Sequence, residues 1–270
     1  MQNTSIEKQK LHGIIEKFFL PPVEDLSKIE DYMIRLSIKK TREEELTHIW
    51  NELVRLKLLL AGGAITALFS NATVNDLDFY LTDPRMREAA IEFLGKYFKE
   101  PPFMSPNCIT FKRKSNLSRK IWRAQLITRF SGSAEEIFRN FDFTVTTGAF
   151  DFSLNSFMFG DRFFVDLSSR TLHYMGASRY PICALYRSTK YRDRGYKLPG
   201  STVMHIGLSI LQLDIKTYKE LKEQLLGIDT IYLQHLLERP EFGPDVPVDY
   251  GKFVADALAY MHVHLDEDDE

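Results

Sequence analysis

The apolar and polar positions of this chain change period several times, and those changes lay out its elements. Residues 5–56 follow the helical period, most regularly over Glu43–Leu56, and lead into the wholly apolar run Leu58–Leu60, which reads as a buried strand. The pair Gly62-Gly63 interrupts it, and Ala64–Ser70 returns to helical spacing. Alternation then takes over. A strand at 76–79 puts Asp76 and Asp78 on one face and Leu77 and Phe79 on the other. Asp83-Pro84 marks a turn, Pro84–Phe98 predicts a helix that stops before Pro101-Pro102, and 112–129 predicts a hairpin turning at Ser115-Asn116.

Ser133-Ala134-Glu135-Glu136 has the form of a capping box that opens a short helix. Strands are predicted at Phe141–Thr147, Ser156–Phe159 and Arg162–Leu167. From Leu172 the pattern is mainly helical, clearest at Tyr218–Leu226 and Asp229–Glu238, with a proline-rich break at Pro240–Pro247. The expected class is therefore α+β: a small mixed sheet flanked by helices, with a mostly helical C-terminal part as the other wall of a cleft. The expected boundaries are a helical segment over 1–56 packing on the core, the core at 57–171, the helical part at 172–265 and an acidic tail at 266–270.

Composition narrows the setting. The 44% hydrophobic content over 270 residues is that of an ordinary globular protein with one large domain or two modest ones. No apolar run approaches the ~18–20 residues that span a bilayer, and the N-terminus has no apolar leader region, so a cytoplasmic protein with no membrane partner is expected. Cys108 and Cys183 read as free thiols, and His262-Val263-His264 reads as an exposed helix end. The net charge of −2 hides an uneven distribution. Lys112, Arg113, Lys114, Arg119, Lys120, Arg123 and Arg129 crowd 112–129 without an acid, whereas 266–270 is wholly acidic. Nothing in the sequence bears on oligomeric state.

Chemistry concentrates at 57–80. Two carboxylates side by side on a strand repel each other unless a cation lies between them. Oxygen-only ligands suit a hard ion such as magnesium, which takes one or two carboxylates together with substrate phosphates. Strand, Gly pair, a spacer of about a dozen residues and Asp76-Leu77-Asp78 on a second strand resemble the pattern of the polymerase-beta-like nucleotidyltransferase superfamily. The nearest likeness is to tRNA nucleotidyltransferases and to small bacteriophage versions, which would place the protein in the cytoplasm of the host cell. Asn140-Phe141-Asp142-Phe143-Thr144-Val145 is similar to the Arg-Asp-Phe-Thr motif of the tRNA enzymes.

The resemblance implies template-independent transfer of a nucleoside monophosphate from a nucleoside triphosphate to a hydroxyl, with release of pyrophosphate. Gly62 and Gly63 would admit the triphosphate. Asp76 and Asp78 would hold two magnesium ions, with manganese as a substitute. Asp142 would be the third carboxylate, a role for which Asp151 and Asp166 compete. Leu185–Lys197 looks like the helix-then-Gly element that follows the catalytic domain in such transferases, and Arg187, Lys190 and Arg194 would meet phosphate from one stripe of it, with Tyr186 and Tyr191 available for stacking. Lys112, Arg113, Lys114, Arg119 and Arg123 would bind the acceptor, most simply RNA, with a tRNA 3′ end favoured.

Two departures stand against a standard tRNA enzyme. Thr66-Ala67 replaces an Arg-Asp pair, and Ile121–Ile127, a strand that carries the third acid in many members, has Arg123 and Gln125 but no acid. A small-molecule or protein acceptor therefore stays open, as does a binding module that keeps the fold without the chemistry.

Overall fold

The computed structural model describes residues 2–21, 31–105, 107–114, 121–176, 178–225 and 236–264. It divides into two units, Met1–Ser169 and Arg170–Glu270. The Asp229–Glu238 helix falls mostly outside the described residues, as do the hairpin turn at 115–120 and the acidic tail.

The first unit is built on a seven-stranded mixed sheet in the order β3-β4-β5-β2-β1-β6-β7. The strands are β1 (Leu58–Ala61), β2 (Asp76–Leu81), β3 (Phe103–Met104), β4 (Cys108–Lys114), β5 (Ile121–Ser131), β6 (Gly148–Asp151) and β7 (Ser156–Phe159). Among the described residues β2 and β5 form the one parallel pair, and every other neighbour is antiparallel. Around the sheet lie α1 (Gln2–Phe19), α2 (Tyr32–Arg55), α3 (Gly63–Phe69), α4 (Arg87–Tyr97), α5 (Ala134–Phe138) and α6 (Phe163–Ser169). The expected α+β class is the observed one.

Alternation along the strands separates two layers. Leu58, Leu60, Leu77, Phe79, Ile109, Phe111, Ala124 and Leu126 face the main core with α1 and α4. In α1 the buried positions Leu11, Ile15, Phe18 and Phe19 recur at helical spacing, as do Ala90, Phe93, Leu94 and Tyr97 in α4. Phe19 is a hub of this layer, in ring contact with Phe79, Phe93, Tyr97 and Phe98. The opposite sheet face has a smaller layer in which Ala134, Ile137 and Phe138 of α5 cover Leu59, Ala61, Tyr80 and Ala149. Helix α5 starts with the expected capping box, Ser133 and Glu136 each bonding the other's backbone N–H.

Two expected strands have other structures. Phe141–Thr147 is a loop followed by a 3-10 turn at Thr144–Thr146, because threonine hydroxyls bond back along the chain: Thr146 Oγ1 donates to the Phe143 carbonyl and Thr147 Oγ1 to that of Thr144, each at 2.7 Å. Arg162–Leu167 lies mainly in helix α6. There Arg162 reaches one turn ahead to clasp Asp166 through two hydrogen bonds, 2.9 and 3.1 Å.

The second unit contains α7 (Pro181–Asp193), α8 (Gly200–Leu211), α9 (Tyr218–Gln224) and α10 (Tyr250–His264). Its core gathers Tyr218, Leu221, Leu236, Leu237 and Phe242. A second capping box, Thr217 with Glu220, opens α9. Among the described residues no helix is long and apolar enough to cross a membrane.

The basic hairpin differs from expectation at Arg113. Strand alternation sends this side chain to the core face, where it is 7% exposed and its Nη2 donates to the carbonyls of Lys17 at 3.1 Å, Phe18 at 2.8 Å and Leu20 at 3.3 Å. These carbonyls end α1, so the guanidinium caps a helix C-terminus and favours its dipole. Arg42 of α2 holds the same end, bonding the Pro21 carbonyl and the Glu16 carboxylate. Arg113 is thus a structural residue and not an acceptor ligand. Replacing it leaves buried carbonyls without a donor, so Arg113→Ala is expected to lower stability by about 3 kcal/mol, read as a shift in the urea midpoint. Lys114→Ala, at an exposed pair with Glu100, should change it by less than about 0.5 kcal/mol; equal shifts would contradict the assignment.

Candidate active site

Strand β1 ends at Ala61, and the chain must turn at once to start α3. Gly62 makes that turn with φ +79° and ψ −135°, a conformation that side-chain-bearing residues avoid. Its N–H donates to the Gly148 carbonyl at 3.0 Å, and its own carbonyl accepts from Ile65 and Thr66, tying sheet, turn and helix together. Gly63 differs. It is exposed, and a methyl group built on it would meet nothing within 4 Å. Thr66, which stands where the tRNA enzymes have the first residue of an Arg-Asp pair, is buried, and its hydroxyl donates to the Val145 carbonyl at 2.7 Å. It joins α3 to the 3-10 turn after Asp142.

Register puts the carboxylates beside this turn. Asp78 is paired with Ala61, the residue before Gly62, and on its other side with Gln125 of β5. Asp76 is paired with Arg123. Both aspartates are half-buried, while Leu77 and Phe79 between and beyond them are fully buried on the far face. Paired residues share a sheet face, so two rows can be followed across the strands. One runs Thr110, Gln125, Asp78, Ala61, Ala149; the other runs Lys112, Arg123, Asp76. Ala61 and Ala149 of this row are fully buried, in one apolar cluster with Ile137, Phe138 and Phe141. The field of Asp78 reaches β4: burial pushes the Cys108 thiol pKa up, and the Asp78 charge pushes it further, against a hydrogen bond with Thr110.

Asp142 lies in the loop after α5 and is buried. The preceding residue, Phe141, packs on Tyr80, with ring centres 5.9 Å apart, and its Cζ lies 4.0 Å from where a methyl group on Gly62 would be. This loop therefore crosses the same sheet face as the aspartate pair. Its two competitors are engaged elsewhere. Asp151 accepts from Ser153 N–H, Ser153 Oγ and Leu154 N–H, closing the β6–β7 turn. Asp166 is 1% exposed and held by Arg162 and by Thr144 Oγ1 at 2.6 Å. Among the described residues no group of three or more His, Cys, Asp or Glu side chains is placed to hold a metal ion.

Of the expected phosphate and acceptor ligands, Lys112 and Arg123 share the carboxylate face and Lys114 is exposed beside Glu100. Arg119 lies outside the described residues. Arg187 and Lys190 are on α7, and Arg194 caps its C-terminus, in the second unit. Sequence reading passed over Gln125 and Thr110 as neighbours of Asp78. Their two-residue spacings from Arg123 and Lys112 mark the face, but the cross-strand register that makes them neighbours of Asp78 is not local information.

A family model described as "Gabija anti-defense 2 family protein" matches residues 28–170. A relative from Bacillus phage SPbetaL7, described as "Gabija anti-defense 2", is 35% identical over 187 residues, which are 69% of this chain and 45% of the relative. The chain thus spans less than half the length of that relative. Among solved structures, the Thermotoga maritima CCA-adding enzyme complexed with tRNA is 12% identical, with a TM-score of 0.47 over 88% of this chain and 53% of that one. A CCA-adding enzyme in complex with ATP is 11% identical, with a TM-score of 0.49 over 82% of this chain and 52% of that one.

The two glycines make separable predictions. Gly62→Ala forces a side chain into a glycine-only conformation and is expected to cost about 1–3 kcal/mol of stability. Gly63→Ala has space and improves a helical position, so the thermal midpoint should hold or rise. Thermal unfolding of the two variants side by side checks this; equal losses would show that the turn is not strained at Gly62.

Proposed function

Because the chain belongs to the Gabija anti-defense 2 family, we propose that it acts against a defence system by metal-dependent nucleotidyl transfer. One observation carries the chemical part: Asp76 and Asp78 share a face of β2, and Asp78 is registered against the residue that precedes the Gly62–Gly63 turn. Half-buried, all-oxygen donors two residues apart fit magnesium, which completes its shell with water and substrate phosphate. When bound between these carboxylates, the ions would acidify the acceptor hydroxyl and neutralise charge on the leaving phosphate.

The chain's own residues supply the rest. The open space at Gly63 lets a triphosphate approach the backbone of the turn, and Gly62 sets the turn's direction. Asp142, in the loop that crosses the carboxylate face of the sheet, is the third acid of this proposal; among the described residues it does not complete a three-carboxylate group with Asp76 and Asp78. In the reaction the acceptor oxygen bonds the α-phosphorus, the bond from that phosphorus to the β-bridging oxygen breaks, pyrophosphate leaves, and the hydroxyl proton passes to solvent or carboxylate. For Arg187, Lys190 and Arg194, tyrosine rings beneath two of them favour a different ligand.

Two acceptor classes follow from different observations. Lys112 and Arg123 on the carboxylate face favour RNA. Family membership, together with the loss of Arg113 from the cationic set, favours a component of the defence system, with a protein hydroxyl as the acceptor. The test offers each α-labelled nucleoside triphosphate with magnesium or manganese, first with total RNA and then with purified Gabija proteins, and follows label into either polymer. Label in neither would favour a binding module that keeps the fold without the chemistry.

Asp76→Ala and Asp78→Ala should each abolish transfer in protein that thermal unfolding shows to be folded. Wild-type turnover in both variants would end the catalytic reading. Asp142→Ala should cost several orders of magnitude in turnover in protein that circular dichroism shows to be folded. For RNA, reversing Lys112, Lys114 and Arg123 to Glu should raise the acceptor KM and flatten its dependence on salt, by about 0.7–0.9 in logarithmic slope per lost phosphate contact. An unchanged slope would remove RNA in favour of the protein acceptor.

A further inference from the structure

Helix α7 combines charge and aromatic rings on one side. At about 100° per residue, Tyr186, Lys190, Arg194, Arg187 and Tyr191 fall within an arc of about 140°, with the cations between the two tyrosines. Between 186 and 197 the chain has five cations, Arg187, Lys190, Arg192, Arg194 and Lys197, against the single acid Asp193, which pairs with Arg192 at 3.6 Å. Arg187, Arg192, Arg194 and Lys197 are exposed.

Two of the cations lie over rings. Lys190 Nζ lies 5.1 Å from the centre of the Tyr186 ring, and the Arg194 guanidinium 5.6 Å from that of Tyr191. This second ring and that of Tyr196 meet nearly at right angles, with centres 5.3 Å apart and planes at 87°. Each of these two cations thus sits about one turn from its ring, an arrangement that sets charge and aromatic surface side by side.

We propose that α7 and the turn after it form a binding surface for single-stranded nucleic acid, with unpaired bases stacking at Tyr186 and Tyr191 and phosphates held by Arg187, Lys190 and Arg194. Every nucleobase has a face that can stack, so such a platform tolerates sequence. As a base takes its place on a ring, the cation there moves to the adjacent phosphate. The rings are five residues apart, about 7.5 Å along the helix axis, so one mononucleotide cannot engage both, whereas successive nucleotides of a strand can. A duplex keeps its base faces stacked internally and offers the rings nothing. This surface lies wholly in the second unit, and the inference does not rest on catalysis at Asp76 and Asp78.

The test measures binding of the full chain to a fluorescent 12-mer oligouridine by anisotropy, alone and annealed to its complement, at two salt concentrations. Single-stranded RNA should bind at least tenfold more tightly than the duplex. Tyr186→Leu with Tyr191→Leu should weaken it at least tenfold, and Tyr186→Phe with Tyr191→Phe should restore it, because the ring and not the hydroxyl does the stacking. Circular dichroism melting identifies any variant that fails to fold, and Arg187→Gln, an exposed change, then tests the phosphate contact by a weaker affinity and a shallower salt slope. Equal affinity for strand and duplex, or Leu variants that fold and bind like wild type, would reduce the surface to a plain polycation and overturn the proposal. Loss of binding in Asp76→Asn with retention in the Leu variants would overturn it too, by placing the strand at the sheet.

Discussion

A pair of carboxylates in the middle of a sheet is tolerable only if the strand bearing them divides its two faces without compromise. In β2 the two-residue period does this: Leu77, Phe79 and Leu81 enter the main core, and Asp76 and Asp78 take the other face. A slip of one residue would put both charges into hydrocarbon, which neither could survive ionised. The covering helix on the carboxylate side is correspondingly short. Helix α5 reaches Tyr80, Leu59 and Ala149, and the aspartates stay half-buried. The exposed position of Gly63 and the cationic row through Arg123 acquire meaning from that division.

Much of this was legible in the sequence wherever the signal was local. The strand–Gly–helix–strand unit at 58–81, the capping box at Ser133 and the helix at 87–97 follow from spacing and end signals, and so does the mixed α+β class. The misread segments are those where side chains compete with the backbone ladder. Thr144, Thr146 and Thr147 look like strand residues by propensity, yet their hydroxyls bond within the turn and onward to Asp166. Asp166 looked like a possible catalytic acid in an alternating Val-Asp-Leu, and it is instead the buried partner of Arg162.

Arg113 shows the difference between reading a composition and reading a period. Counted within 112–129 it was one of seven cations. Counted by alternation it falls in with Ile109 and Phe111 on the core face, and the helix end waiting there supplies three carbonyls. That half of the answer lay in the sequence. The other half, the identity of α1 as its partner and of Gln125 as the neighbour of Asp78, depends on pairings between distant segments that no local pattern contains.

The strand order also decides when, during folding, such a site can exist. The outer pairs β3·β4 and β6·β7 join neighbours in sequence, and their closing loops are short. Of the two pairs that flank the aspartates, β1 with β2 is also local, whereas β2 with β5 brings together segments on either side of α4, β3 and β4, and β1 with β6 closes a longer span still. Loop closure must be met before the non-local contacts return anything, so the β2·β5 and β1·β6 pairings form after the local ones. A chain still emerging from the ribosome through α4 has both carboxylates but neither Arg123 nor Ala149 beside them. The full set of neighbours around Asp76 and Asp78 is therefore a property of the completed sheet, and a partly made chain has the acidic strand without them.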